Sequence, residues 1–168
     1  MNKKTTQDLE DIIEKTKSGS ISKKDFRTKI INFEKQIRDY ENSTVRTSYK
    51  KNDAIDTFNG ASLDHEFGEG TYIRTITMPK DMIYLSAIHL ITHPYFVMKG
   101  SATVISDKGL ELIEAPYHGM TQPGTQRILY IHEECVWITV HPTNKTDIEE
   151  VVADVTSNNY DHPKLKIK

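Results

Sequence analysis

The sequence predicts a mainly β protein: a single small β-barrel, preceded by a helical hairpin and followed by a short C-terminal helix. Apolar residues recur at helical spacing near the N-terminus, and many short β-rich runs appear after Gly60. Turn residues separate these runs at close intervals, which is typical of a sandwich or a small barrel. We therefore expect a hairpin (1–41), a linker or wrapping arm (42–60), a barrel with its helix (61–156) and a tail (157–168).

Two helices are predicted in the hairpin, at 6–17 and from Ser22 to about residue 40. Aliphatic residues form a stripe along the first helix, which meets a Ser-Gly-Ser stop signal. Ser22 is placed to cap the second helix, and Phe26 and Phe33 recur in it at helical spacing. The hairpin then has one apolar face, which packs on the barrel or on a second subunit.

The barrel strands are predicted from β-rich runs bounded by proline, glycine or Asp-Lys-Gly. The runs lie at 71–78, 82–91, 95–99, 101–106, 110–114, 126–132 and 135–141. A last helix is predicted at about 147–155, after a capping signal.

Bulk composition limits the classes of function. The formal net charge is −2 over 168 residues, which gives no indication of nucleic-acid binding. Cys135 is the only cysteine, so we expect a reducing compartment without an internal disulfide. No apolar run approaches the roughly 20 residues that span a bilayer, and the N-terminal residues lack a signal-peptide pattern. We expect a cytoplasmic protein with neither nucleic acid nor membrane as a partner.

Strand alternation predicts which side chains face the barrel interior. In the run 82–91, one face carries Ile83, Leu85, Ala87 and Ile91 together with a histidine. Because the rest of that face is apolar, the histidine, at position 89, is expected to point into the core.

An arginine is expected to join this histidine inside the barrel. Arg127 shares its parity with Leu129 and Ile131, although the other face of the run is also largely apolar. A buried guanidinium or imidazole without a partner costs several kcal/mol. Two such groups favour a wet pocket that contains water, a metal or a ligand. The competing interpretation is a filled core in which each group is satisfied by protein atoms. The carboxylates available for that purpose are Glu66, Glu69, Glu111 and Glu133.

The segment 81–100 resembles the first motif of the cupin superfamily. That motif has two histidines separated by one residue, a glutamate four residues after the second, and a glycine seven residues later. Ala87 occupies the first histidine position and His89 the second, while His93 stands at the glutamate position and Gly100 at the glycine. The resemblance implies a jelly-roll barrel of the cupin type.

The second cupin motif, a Pro-x-Gly turn followed by a histidine, is similar to residues 122–127, with Arg127 in place of the histidine. A further likeness, across about 60–150, is to small cupin-like proteins encoded by tailed bacteriophages. It is carried by 70–74, 78–80, 88–89, 115–117, 123–127 and 132–134 with His93, Trp137 and His141. This likeness implies a phage or prophage origin and hence a host cytoplasm, while the resemblance to cupins implies a homodimer.

Three functions stay open at this point. The first is a pocket for a small anionic molecule, in which arginines bind phosphate or carboxylate, histidines donate hydrogen bonds and aromatic rings stack. Its expected ligand-binding residues are Tyr72, Arg74, His89, His93, Arg127 and Trp137.

The second function is a metal-dependent enzyme with a divalent transition metal as its cofactor. Its ligands would be His89 and His93, completed by His141 or His132, with Glu133 or Tyr72 acting in proton transfer. The third function is assembly, in which Phe26 and Phe33 form an exposed interface on the hairpin. The sequence assigns no catalytic residue.

Overall fold

The computed structural model of the protein describes residues 3–37, 43–45, 56–58 and 61–166. They form a mainly β fold, a largely antiparallel sheet with three α-helices. The helices are α1 (Lys3–Lys17), α2 (Lys23–Ile37) and α3 (Ile148–Val155). The strands are β1 (Ser43–Val45), β2 (Asp56–Phe58), β3 (Ala61–Gly68), β4 (Thr71–Met78), β5 (Ile83–Leu85), β6 (Ile88–His89), β7 (His93–Ser106), β8 (Gly109–Glu114), β9 (Tyr117–Thr121), β10 (Ile128–Pro142) and β11 (Thr156–Ser157).

Two long strands, β7 and β10, form the centre of the main sheet. They pair antiparallel from Ile105 opposite Ile128 to Tyr95 opposite Thr139, with irregular register between these ends. On its other edge, β10 pairs with β5 near its start and with β4 over its second half. The strands β3 and β2 then extend the sheet beyond β4. The free edge of β7 pairs with β8 and β9. Among the described strands, no pairing joins β8 or β9 to β2 or β3, so a closed barrel stays a prediction.

The sheet curves around one apolar core. Side chains from β3, β4, β7, β8 and β10 meet there, among them Ile76, Val97, Ile131 and Trp137. Burying each large apolar side chain contributes about 1.5–3 kcal/mol relative to exposure. This core fixes which face of β4 and β10 points inward, and the polar side chains of the candidate site lie on the same inner face.

The helices α1 and α2 pack on the sheet through a second apolar cluster. Phe26 and Phe33 of α2 are 1% and 0% exposed and belong to the same cluster as Ile83, Leu85 and Ile128. The expectation that these two phenylalanines form an exposed assembly interface is therefore wrong. Each helix has too little apolar surface to be stable alone, so packing on the sheet accounts for its formation.

Regular alternation does not extend through the run 82–91. The structure divides it into β5 and β6, with an interruption at Ser86 and Ala87. Ile83 and Leu85 consequently pack toward the helices, whereas His89 lies on the inner side of the sheet. The prediction that His89 shares its face with Ile83 and Leu85 is wrong, although His89 is buried.

Other element boundaries also differ from the predictions. The strand predicted at 71–78 coincides with β4, while the two runs at 126–132 and 135–141 form one strand, β10. The linker predicted at 42–60 lies outside the described residues except for β1 and β2. None of the helices in the described part of the chain has the length and apolar character required to cross a bilayer.

Candidate functional site

A cavity of about 30 Å³ lies against the inner face of the sheet. Its apolar wall includes Ile76, Leu129 and Trp137. Its polar wall includes Arg74, His89, His93, Thr121, Arg127 and Thr139. None of the described residues that line it carries a carboxylate. Among the described residues, the cavity wall therefore contains two guanidinium groups and no carboxylate, and the acidic groups that act on Arg127, Asp107 and Glu111, lie outside it.

Strand register brings several of these side chains together. Arg74 of β4 lies directly opposite Thr139 of β10, so their side chains project from the same face of the sheet. On the other side of the site, His93 at the start of β7 lies opposite Thr121 at the end of β9. The site is thus built on paired strands, which are more rigid than loops.

The segment 122–127 positions Arg127. The Ser86 amide donates to the Arg127 carbonyl (3.0 Å), and the Arg127 amide donates to Ser86 Oγ (2.9 Å). The guanidinium donates from Nη2 to Thr121 Oγ1 (3.1 Å), and its Cζ lies 5.1 Å from the centroid of the Tyr95 ring. These contacts are with neutral groups, so no contacting carboxylate neutralises the charge.

His89 is tied to the same segment through its backbone. Its amide donates to the Thr125 carbonyl (3.0 Å), and its carbonyl accepts from the Gly124 amide (2.7 Å). Gly124 adopts a φ of 80°, in the left-handed region that favours glycine. The Pro-x-Gly turn therefore places His89 and Arg127 at one cavity.

Four buried polar atoms of the cavity residues have no hydrogen-bond partner among the residues that the structure describes. They are Arg74 Nε, His89 Nδ1, His93 Nε2 and Thr139 Oγ1. A buried polar atom that is left unsatisfied costs about 1–3 kcal/mol. Their convergence on one cavity indicates that water or a ligand supplies the missing partners.

Burial keeps both cavity histidines neutral at pH 7. The pKa of His89 lies well below its usual 6.5, mainly because the ring is desolvated, with the cationic form of His93 and the charges of Arg127 and Arg74 adding to the effect. Desolvation likewise lowers the pKa of His93 to about 4. Burial also lowers the pKa of Arg127 from its usual range. Arginine nevertheless remains cationic in proteins at neutral pH.

The tautomer of His93 follows from its hydrogen bond. Its Nδ1 lies 3.2 Å from the Ile91 carbonyl oxygen, which can only accept, so Nδ1 carries the proton. In the neutral ring Nε2 then holds a lone pair and no hydrogen. The unpartnered Nε2 of His93 is therefore an acceptor, whereas Arg74 Nε is a donor.

His141 and Tyr72 lie behind the cavity wall and do not line it. The His141 ring is 4.2 Å from the His93 ring and 5.9 Å from the Tyr72 ring, centroid to centroid. Tyr72 Oη lies 2.6 Å from Nδ1 of His65, which sits on β3 and not in a loop. The structure thus places Tyr72 away from the ligand-facing surface expected for it.

The three imidazoles of His89, His93 and His141 lie close together, with the first two rings 4.7 Å apart. However, no three His, Cys, Asp or Glu side chains of the described residues form a group that could hold a metal ion. Ring contact alone does not direct donor nitrogens at a common point, and the neighbouring guanidiniums repel a dication. The residues therefore do not fit the metal centre of metal-binding cupins, and we derive no step through a metal.

Two other residues considered for the metal hypothesis lie outside the cavity wall. His132 Nε2 lies 2.7 Å from Thr103 Oγ1, and Glu133 is exposed. On β10 the inward parity belongs to Ile131, so His132 points to the opposite side of the sheet. Neither His132 nor Glu133 lines the cavity, so the structure does not place them where the roles expected for them require.

An outer groove of about 470 Å³ adjoins the cavity at Arg127, which lines both spaces. Its wall includes Tyr95, Lys108 and Glu111. Tyr117, also in this wall, donates its hydroxyl to Glu111 Oε1 (2.7 Å), which raises the tyrosine pKa above its usual value. The groove thus provides a larger compartment of mixed polarity next to the cationic cavity.

The sequence-based selection missed Ser86, Thr121 and Thr139 in the cavity wall. Thr139 shares its parity with Trp137 and His141 on β10, so alternation along that strand could have found it. Thr121 and Ser86 had no such signal, because β9 was not predicted and Ser86 lies in the interruption after β5.

No protein-family model matches the chain, and no curated protein matches it. Among solved structures, a HTH_3 family transcriptional regulator from Vibrio cholerae is 15% identical, covering 51% of this chain and 52% of its own, with a TM-score of 0.42. A Vibrio parahaemolyticus protein of unknown function is 13% identical, covering 56% and 98%, with a TM-score of 0.45. An acetylacetone dioxygenase from Acinetobacter johnsonii is 17% identical, covering 59% and 75%, with a TM-score of 0.45. The chain thus spans about half the regulator's length, and likenesses this low assign no activity.

Proposed function

We propose that the chain is a cupin-type binding protein whose inner cavity takes the carboxylate group of a small organic anion. The observation that carries the proposal is the set of four unpartnered polar atoms in a buried cavity with two guanidiniums and no carboxylate in its wall. Guanidinium groups recognise carboxylates through charge-assisted hydrogen bonds. An anion there would satisfy the donors and balance the buried positive charge.

Cavity size supports a carboxylate as the bound group. At about 30 Å³ the cavity exceeds the roughly 10–15 Å³ that a single water molecule occupies, so it admits a small polar group. A carboxylate is such a group, and its two oxygens can accept in parallel from one guanidinium. The remainder of a larger ligand would extend past Arg127 into the outer groove.

The resemblance to cupins is consistent with the same location. The positions that correspond to the family's metal-ligand positions are Ala87, His89, His93 and Arg127, and all four line one cavity. Alanine and arginine replace two ligating side chains, which favours an anion over a metal in this chain. The phage origin, the homodimer and the cytoplasmic location remain proposals that rest on the resemblance and on composition.

A metal-dependent enzyme is the alternative that the sequence raises, although no three ligating side chains of the described residues form a group that could hold a metal ion. His89 and His93 are neutral at pH 7, as metal ligation requires. Elemental analysis of the untagged protein tests this candidate. A stoichiometric transition metal that is lost in His89→Ala and His93→Ala would support it, and substoichiometric metal in the folded protein would oppose it.

Calorimetric titration of acetate into chelator-treated protein at pH 7 tests the proposed function. We expect one site per chain, and we expect binding to be lost in both Arg74→Met and Arg127→Met. Lys99→Met is the matched control, because it removes one cation from an exposed pair with Glu134, and neither residue lines the cavity. Wild-type protein that takes up no acetate, or equal binding in all variants, would contradict the proposal.

A further inference from the structure

The acceptor in the cavity restricts the ligand that can fill it. His93 Nε2 holds a lone pair, because Nδ1 donates to the Ile91 carbonyl and the ring is neutral. This atom is buried and has no hydrogen-bond partner in the described part of the chain, and the residue is 1% exposed. Only a hydrogen-bond donor can satisfy it.

A simple carboxylate leaves this requirement unmet. Its oxygens accept from Arg74 Nε and from the Thr139 hydroxyl, but they carry no hydrogen for His93 Nε2. A carboxylate oxygen placed beside that lone pair would in fact be repelled by it. The best-fitting ligand therefore carries a donor close to its carboxylate.

We propose that the cavity selects 2-hydroxycarboxylates, whose hydroxyl donates to His93 Nε2 while the carboxylate accepts from Arg74 and Thr139. This inference rests on the proposed function and adds the ligand class to it. In a 2-hydroxycarboxylate the hydroxyl is bonded to the carbon that bears the carboxylate, so the two groups lie within one short unit. That spacing suits one compact group held within a cavity of about 30 Å³.

A series of three ligands tests the selection without changing the protein. Acetate lacks the hydroxyl, glycolate carries it, and methoxyacetate replaces its hydrogen with a methyl group. Each is titrated calorimetrically into chelator-treated full-length protein at pH 7. We expect glycolate to bind about ten-fold more tightly than acetate, because one buried acceptor gains its partner. Methoxyacetate is expected to bind no more tightly than acetate.

The outcomes separate the inference from the proposed function. Equal affinity for acetate and glycolate would overturn the inference alone, since a cavity water would then satisfy His93. Glycolate binding that requires added zinc would also overturn it. If neither acid binds, the proposed function fails together with the inference.

A variant and a spectrum locate the effect at His93. In His93→Phe, the ratio of the affinity for glycolate to that for acetate should fall to about one. His118 is an exposed histidine on β9, so the ratio should persist in His118→Phe. In histidine-labelled wild type, the nitrogen resonance of His93 Nε2 should move upfield with glycolate and stay in place with acetate. An unchanged resonance at saturating glycolate would contradict the inference even if His93→Phe fails to fold.

Discussion

Replacing Arg127 with methionine should leave the free protein close to the wild type in stability while abolishing anion binding. The guanidinium is largely buried, and burial is the main cause of its lowered pKa. Its described contacts are one hydrogen bond to Thr121 and the face of the Tyr95 ring, and both partners are neutral. We expect a partly buried charge held in this way to contribute to ligand binding and not to stability.

The expected change follows from three contributions. Replacing buried ionic groups with apolar side chains of similar volume gains up to about 1–4 kcal/mol. Losing the hydrogen bond to Thr121 costs about 1 kcal/mol, and losing the contact with the Tyr95 ring costs about 0.5–1 kcal/mol. The net change for Arg127→Met therefore lies between a loss of about 1 kcal/mol and a gain of about 2.5 kcal/mol in the free energy of unfolding.

Urea unfolding at pH 7, with and without acetate, measures this change. Acetate should stabilise the wild type in proportion to its binding, and it should have no effect on Arg127→Met. Lys99→Met removes the same charge at an exposed position and should retain the response to acetate. A loss of more than about 2 kcal/mol in acetate-free Arg127→Met would refute the reasoning, since the guanidinium would then be a structural group.

Three further predictions concern stability. The pKa of His93 is about 4 in the folded protein and near 6.5 in the unfolded chain, so the folded state binds fewer protons between these pH values. The free energy of unfolding should therefore fall by about 3 kcal/mol as the pH drops from 6.5 to 4. Urea titrations across this range should show a flatter profile for His93→Phe, and an unchanged slope would contradict the assignment. Phe33→Ala should lower the free energy of unfolding by about 3–5 kcal/mol in the same assay, because loss of the fully buried ring leaves a cavity between α2 and the sheet. A loss under about 1 kcal/mol would show that the helix does not pack there. Gly100→Ala should destabilise the protein more than Gly19→Ala. Both glycines have a positive φ, but only a Cβ at Gly100 would collide with the backbone of Glu134. Equal midpoints of thermal unfolding for the two variants would contradict this.

Much of the local structure was predictable from residue patterns. Apolar spacing located α1 and α2, and the run 71–78 coincides with β4, because these elements bury one regular face. The predictions were less accurate where the chain is irregular. The runs 126–132 and 135–141 belong to one strand, β10, whose register is irregular between them. The interruption after β5 places His89 on the opposite side of the sheet from Ile83 and Leu85, although the regular alternation of the sequence put all three on one face.

The site was only partly accessible from sequence. Arg74, His89, His93, Arg127 and Trp137 were selected and all line one cavity. The packing of the hairpin could not be read from its apolar stripe, because a stripe does not identify the surface that covers it. The acceptor at His93 Nε2 was also inaccessible, since it depends on a hydrogen bond to a backbone carbonyl two residues away.

The most direct test of the anion cavity is an isotope-filtered NMR measurement of nuclear Overhauser effects from the acetate methyl protons to labelled protein. Trp137 and Leu129 form the apolar wall beside the two guanidiniums, so we expect contacts to both side chains at saturating acetate. Contacts confined to surface residues, or none at saturation, would contradict the claim that a carboxylate enters the interior of the sheet.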